Sequence, residues 1–338
     1  MRMLRMATRR PMVKRRDVLA LGLGTLFARA LTPAFAQARY PDRPIRLVIP
    51  FPPGGVYDAV GRPYAERMKT ALGTVIVENQ GGAGGSLGAA AVARAQPDGY
   101  SLLLGGVGPM VINPIAASRT PYDPIKDFEP ISILVVTAFS IAVHPSLPVQ
   151  TLVELLEYAK ANPGKLSYGT AGVGSGNHLT GELLKSLTGV NIVHVPYRGA
   201  GLAITDLVGG QIPVLMANVT GQVLELHRSG KLRMLAVSSS ARLIAAPEIP
   251  SAAEAGLPGL ISRNFIGVLA PARTPAPIVA QISQATQIAM ADPELQQIFI
   301  ASGMEPSPDT NPEQARRFLA EEIARWAPII KSIGLKLD

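Results

Sequence analysis

The sequence predicts an α/β fold divided between two domains. Short apolar runs alternate with amphipathic helical segments from Gln37 onward, the rhythm of successive βαβ units. A chain of 338 residues exceeds what one comfortable core holds. And the order strand, glycine-rich loop, helix start occurs at 45–62 and again at 166–187.

The N-terminus reads as a removable export signal. Met1 to Arg16 carries seven Lys and Arg and no acid, Val18 to Ala28 is an apolar run too short to span a membrane, and Ala34-Phe35-Ala36 is an A-x-A cleavage site. Arg15-Arg16-Asp17-Val18-Leu19 resembles a twin-arginine signal, with Val18 where Phe is more usual. Residues 1–36 hold eight of the 32 Lys and Arg and one of the 24 acids. The mature chain therefore keeps 24 bases and 23 acids, a net charge of +1 in place of the formal +8. The basic balance belongs to the signal, and it lends no support to nucleic acid or a membrane surface as a partner.

Ile45 to Ile49 is apolar without alternation, as in a strand buried on both faces. Pro52-Pro53-Gly54-Gly55 breaks it, and a helical pattern begins near Val56 and runs to Leu72, with Gly73 as its C′ residue. The unpaired N–H groups and the dipole of that helix start form an anion-binding device, which glycines without Cβ let a ligand approach. Thr74 to Val77 is a strand. Gly81-Gly82-Ala83-Gly84-Gly85 leads to a helix over Ser86–Ala95, and Tyr100 to Leu104 is a strand ending in a third glycine-rich loop, Gly105-Gly106-Val107-Gly108.

Ile131 to Val143 is an apolar stretch long enough to run between domains. Thr151 opens a helix to Ala161 with a capping box closed by Glu154. Leu166–Gly169 is a strand, and 170–176 (TAGVGSG) opens the helix Asn177–Leu187. Strands are predicted at Asn191–Val195, Val214–Ala217, Leu232–Val237 and Phe265–Leu269. Helices are predicted at Ala200–Val208, Gln222–Ser229, Ile278–Met290, Glu294–Ala301 and Pro312–Ser332, the last capped by Asn311 with Pro312 at its first position. No period of 20 to 50 residues recurs, which excludes a solenoid.

The catalytic vocabulary is thin. The chain has no cysteine, so thiolate nucleophiles, thiolate metal sites and disulfides are excluded. No nucleotide-binding G-x-G-x-x-G or P-loop occurs, and no cofactor or metal is expected. Gly84-Gly85-Ser86-Leu87-Gly88 matches the G-x-S-x-G nucleophile elbow, which supplies the alternative reading of a secreted hydrolase using Ser86. An elbow needs its strand to run straight into the serine turn. Here the strand ends near Val77, so Ser86 is expected to cap the following helix instead. Asp58, in a first helical turn, is open to structural capping or to ligand contact. His178 is open to core packing or to a ligand-facing role.

Several long segments, among them YPDRPIRLVIPFPPGGVYD (40–58), VENQGGAGGSLGAAAVARAQPDGY (77–100), PYDPIKDFEPIS (121–132) and NPGKLSYGTAGVGSGNHLTGELLKSLTGV (162–190), resemble the Bug family, as do VPYRGAGLAITDLVGGQI (195–212) and GKLRMLAV (230–237). These are TctC-type periplasmic receptors of tripartite tricarboxylate transporters, and the resemblance runs from Tyr40 to the C-terminus. It implies a two-lobed periplasmic-binding-protein fold, Venus-flytrap and type II-like, in which two doubly wound α/β domains joined by crossing strands close on a small ligand. Lobe 1 is then 37–140 plus 262–338, and lobe 2 is 141–261. The implied ligand is a small carboxylate held by the glycine-rich loops. The implied partners are membrane permease subunits, and the protein is a monomer of the periplasm. A sensor for a signalling partner would share the same pocket.

Carried over by motif, the ligand contacts are Gly54, Gly55 and Asp58 in one first-lobe loop and Gly106 and Gly108 in another. In the second lobe they are Thr170, Ala171, Gly172, Ser175 and His178. Two positions depart from the family pattern. Tyr57 stands where Thr or Ser is common, which narrows or reshapes the pocket. Ala217-Asn218 stands where many relatives have Asp-Asn, which leaves Asn218 as the polar contact and favours a plain carboxylate or an uncharged ring.

Overall fold

A computed structural model describes residues 40–307 and 310–337. The predicted signal, residues 1–36, lies outside the described residues. The chain divides into two units at Asp42/Arg43, and the architecture below is that of the unit beginning at Arg43.

Its first half-sheet is built from β1 (Ile45–Ile49), β2 (Val75–Asn79) and β3 (Ser101–Gly106), parallel with β1 in the middle. Ile45, Leu47, Val48 and Ile49 are fully buried, as an unalternating apolar run requires when helices cover both faces. α1 (Val56–Leu72) lies against this sheet through Val56, Val60, Tyr64, Met68 and Leu72, a spacing of four that keeps one face inward. α2 (Ser86–Ala93) links β2 to β3.

β4 (Phe128–Val143) is the spine. Sixteen extended residues reach about 50 Å, far more than one sheet needs. Over 128–138 it pairs antiparallel with β9 (Arg263–Pro271), which in turn borders β3. Over 139–143 it pairs with β7 (Val214–Asn218), and over 140–143 with β8 (Arg233–Val237). β7 is followed across the sheet by β5 (Ser167–Thr170) and β6 (Val193–Pro196), all three parallel. The two α/β halves thus share one strand, giving a curled sheet ordered β2-β1-β3-β9-β4-β7-β5-β6. The second half carries α3 (Leu152–Ala161), α4 (Gly176–Thr188), α5 (Ala200–Val208) and α6 (Gly221–Arg228).

The chain then returns to the first half with α7 (Ala276–Met290), α8 (Pro293–Ala301) and α9 (Pro312–Ser332). The Tyr64 hydroxyl meets Thr286 at 2.8 Å, tying α1 to α7. Trp326 of α9 is fully buried in the apolar core that continues along β4. Among the described residues no helix is long and apolar enough to cross a membrane.

Three local expectations are corrected. Gly105 and Gly106 belong to β3 rather than to a loop, and Gly108 opens a helical segment, Gly108–Ile112 followed by Asn113–Ala116, that begins with no intervening turn. The Thr151 hydroxyl caps α3 through Glu154 N–H at 3.2 Å, but the Glu154 carboxylate accepts from Gln150 N–H at 2.6 Å, so the reciprocal bond of a capping box lands one residue early. Ser86 does not cap α2; the cap position is Gly85, and the Ser86 hydroxyl lies 3.4 Å from that of Tyr122. The short strand β10 (Met304–Pro306), paired with β4, had no sequence signal of its own.

Candidate functional site

Beyond the end of β1 the chain turns through Pro50 to Gly55 into α1. Asp58 organises this loop: its carboxylate accepts the Gly54 N–H at 3.2 Å and the Asn79 amide at 3.0 Å, and pairs with Arg62 at 3.0 Å. Asn79 also donates to the Phe51 carbonyl at 2.8 Å. The acid is therefore engaged in shaping the turn. Its position in the first helical turn adds a favourable dipole interaction.

The corresponding loop of the second half follows β5. The Thr170 hydroxyl accepts the Gly172 N–H at 3.1 Å and lies 2.6 Å from His194 Nε2. Ser175 caps α4: its hydroxyl accepts the His178 N–H at 3.3 Å and donates to the Gly172 carbonyl at 2.6 Å. His178 Nδ1 accepts from Gly174 N–H at 3.4 Å. Its ring stacks on His194 with centroids 4.1 Å apart, and His194 stacks on Tyr168 at 5.0 Å. Burial holds the His178 imidazole below its ordinary value, and burial followed by the charge of His178 takes His194 down to about 4. At neutral pH this is a stack of uncharged rings that braces the loop from behind.

Between the two loops lies a cavity of about 20 Å³, little more than one water-sized site. Its walls repeat a pattern. Gly55, Val56 and Tyr57, the cap and first two helical positions of α1, line it from one side; Ser175, Gly176 and Asn177, the same three positions of α4, line it from the other. Ala200, the first residue of α5, joins them. A helix start leaves the N–H groups of its first turn without intrahelical partners and places partial positive charge there; the Ser175 N–H itself donates to the Gly172 carbonyl at 3.2 Å. Phe51, Pro52, Ala171, Asn218 and Asn264 complete the wall, and none of the described lining residues is charged.

Two buried amide nitrogens on this wall, Asn177 Nδ2 and Asn218 Nδ2, have no hydrogen-bond partner in the protein. Buried donors are rarely left so, and both residues belong to the cavity wall. Asn264 Oδ1 accepts from Val107 N–H at 3.1 Å. Tyr57 is buried, stacked on Phe51 at 4.7 Å, and its hydroxyl faces Asn264. Burial raises that phenol above its ordinary range, so it stands as a neutral hydroxyl.

Glycines close the cleft. A Cβ on Gly54 would lie 4.0 Å from Gly201 Cα, and one on Gly84 would lie 2.6 Å from the Val173 carbonyl oxygen. Asn113 donates to the Gly84 carbonyl at 3.0 Å beside this second contact.

Of the residues expected from sequence, Gly55, Tyr57, Ala171, Ser175 and Asn218 line the cavity. Gly54, Asp58, Thr170, Gly172 and His178 lie behind it, fixing the loops through the bonds above. Gly106 accommodates the Tyr57 hydroxyl, and Gly108 lies against the Gly84 and Gly174 carbonyls. Asn177 and Asn264 were missed. Asn177 follows directly from the helix-start argument, as the second residue of α4. Asn264 had no local signal: it lies on β9 opposite Thr137 of β4 and accepts from Val107, 157 positions away in sequence. Ser86 has Tyr122 as its partner and no histidine base within its hydrogen bonds. Among the described residues no group of three or more His, Asp or Glu is placed to hold a metal.

The model of the tripartite tricarboxylate transporter family receptor (TctC) matches residues 60–335. The protein BugT of Bordetella pertussis is 36% identical over 300 residues, covering 88% of this chain and 91% of that one. Among solved structures, the periplasmic binding protein BugD is 37% identical with a TM-score of 0.84, covering 88% of this chain and 99% of that one. The R. palustris protein Rpa4515 with adipate is 32% identical with the same TM-score, again covering 88% and 99%.

Proposed function

This chain belongs to the tripartite tricarboxylate transporter receptor (TctC) family, and we propose that it captures a small carboxylated metabolite between its lobes and presents it to a membrane permease. One observation carries the reading of the site: the first turns of α1 and α4 line the same small cavity together with two unpartnered buried amides. A carboxylate there would accept backbone N–H groups from both helix starts and the Asn177 and Asn218 amides. Fixed neutral dipoles then stabilise the anion, and a lysine or arginine is not needed. Adipate on Rpa4515, a protein of closely similar fold, supports the same class of ligand.

Binding would hold the lobes closed, because each lobe supplies half of the donors. The lobes are 37–140 with 262–338, and 141–261. The site residues are those of the cavity wall, with Asp58, Thr170 and His178 positioning the loops. The protein acts as a monomer in the periplasm after cleavage near Ala36, and N-terminal sequencing of the exported protein checks that boundary. It works without catalysis.

The test is a thermal-shift panel of mono- and dicarboxylates set against neutral sugars and cationic amines. Stabilisation by acids alone is the expected result. A preference for sugars or cations would overturn the reading.

A further inference from the structure

Tyr57 occupies the first-lobe wall of the cavity in a way that no other lining side chain does. Its ring is buried and stacked on Phe51 at 4.7 Å. Its hydroxyl reaches past the cavity into a slot over Gly106, where an added Cβ would stand only 2.1 Å away. The far side of the slot is the Phe265 carbonyl, 2.6 Å from that same position, and Asn264 faces the hydroxyl. A ring held by stacking on one side and a fitted slot on the other has no second place to go. What remains of the cavity is about 20 Å³.

We propose that Tyr57 sets the upper size limit of the ligand, filling the part of the cleft into which the far end of a longer acid would extend and so restricting this receptor to short, compact carboxylates. The inference rests on the carboxylate reading above and deepens it. At the start of α1, Val56 and Tyr57 offer N–H groups to a ligand's near end, while the Tyr57 side chain closes the space beyond. One residue thus both supplies the anion site and limits what may be attached to the anion. The N–H donors hold the carboxylate of short and long acids alike, and steric exclusion alone rejects the long ones.

The experiment measures the thermal shift of the mature protein with linear mono- and α,ω-dicarboxylates of two to eight carbons. Expected for the unmodified protein is a shift confined to the short members, with a clear cutoff. Tyr57→Ser should move that cutoff upward by at least two carbons, and Tyr57→Phe, which keeps the ring, should leave it where it was. Tyr57→Leu keeps an apolar contact with Phe51 and serves if the serine variant fails to fold; it should also admit longer acids. A cutoff unchanged by both shortening variants, or an unmodified protein already stabilised by eight-carbon acids, overturns the size limit and leaves the carboxylate reading intact. Absence of any shift with every acid, in the unmodified protein and all variants, overturns both.

Discussion

The Tyr57 hydroxyl stands 2.1 Å from the place where a Cβ on Gly106 would be, so these two residues share one volume across 49 positions of sequence. Gly106→Ala is expected to destabilise the fold by about 1–3 kcal/mol through overpacking. In a Tyr57→Phe background the loss should be smaller, since the hydroxyl is gone, but not absent, because the Phe265 carbonyl remains 2.6 Å from the new methyl. Denaturant unfolding of the two single variants and the double variant measures this coupling. Additive losses would show that the two residues do not compete for space.

Gly55 is the opposite case. A Cβ there meets nothing within 4 Å, and its φ of −103° suits any residue. Gly55→Val should therefore cost at most about 1 kcal/mol, the price of a poorer helix cap, while placing an isopropyl group on the cavity wall. Ligand-induced stabilisation, about 2.7 kcal/mol at 100 Kd for the unmodified protein, should vanish. A variant that keeps its full thermal shift would remove this loop from the site.

The Asn177 and Asn218 amides should reveal themselves by a change of sign. Each buries an unpartnered donor, a burden of about 1–3 kcal/mol in the unliganded state. Replacing either with Ala is expected to leave unliganded stability no lower. Binding should nevertheless weaken by about 1.5–3 kcal/mol if the lost hydrogen bond goes to a charged carboxylate. Calorimetry on the same samples used for unfolding gives both numbers; weaker folding with unaltered affinity would assign these amides to the core.

Stability should fall in mild acid through the imidazole stack. Burial, then the charge of His178, takes His194 from its ordinary 6.5 down to about 4 in the folded protein. Between those values the unfolded chain binds the proton and the folded chain does not, so the contribution is complete above about pH 6.5 and is lost toward pH 4. Thr170, His178 and Tyr168 touch the ring, while Glu182 and Lys185 act on it through their charges. His194→Gln should flatten the melting temperature between pH 6.5 and 4 relative to the unmodified protein. Superimposable pH curves would contradict the assignment.

Ser86, the serine of the G-x-S-x-G stretch, bonds weakly to Tyr122 at 3.4 Å. Ser86→Ala is expected to leave any background hydrolysis of p-nitrophenyl acetate unchanged. Activity that disappears in this variant would revive the hydrolase.

Much of this protein was legible locally. Periodicity placed the strands and helices because burial of a run such as Ile45–Ile49, or of the stripe Val56, Val60, Tyr64, Met68, depends on nearest neighbours in sequence. The glycine-rich helix starts were legible as places where N–H groups lack intrahelical partners, since that is a property of any helix end. Side-chain roles were another matter. Whether Asp58 and His178 faced the ligand or braced the loop depended on Asn79 and His194, partners 21 and 16 residues away. Asn264 took its place through the antiparallel pairing of β9 with β4, where it stands opposite Thr137, and the single spine β4 was decided by the two sets of strands that close on its halves. Composition and spacing determine which segments fold and where charge can settle; which atoms finally face the cavity is set by long-range packing, where one volume such as that above Gly106 admits only one occupant.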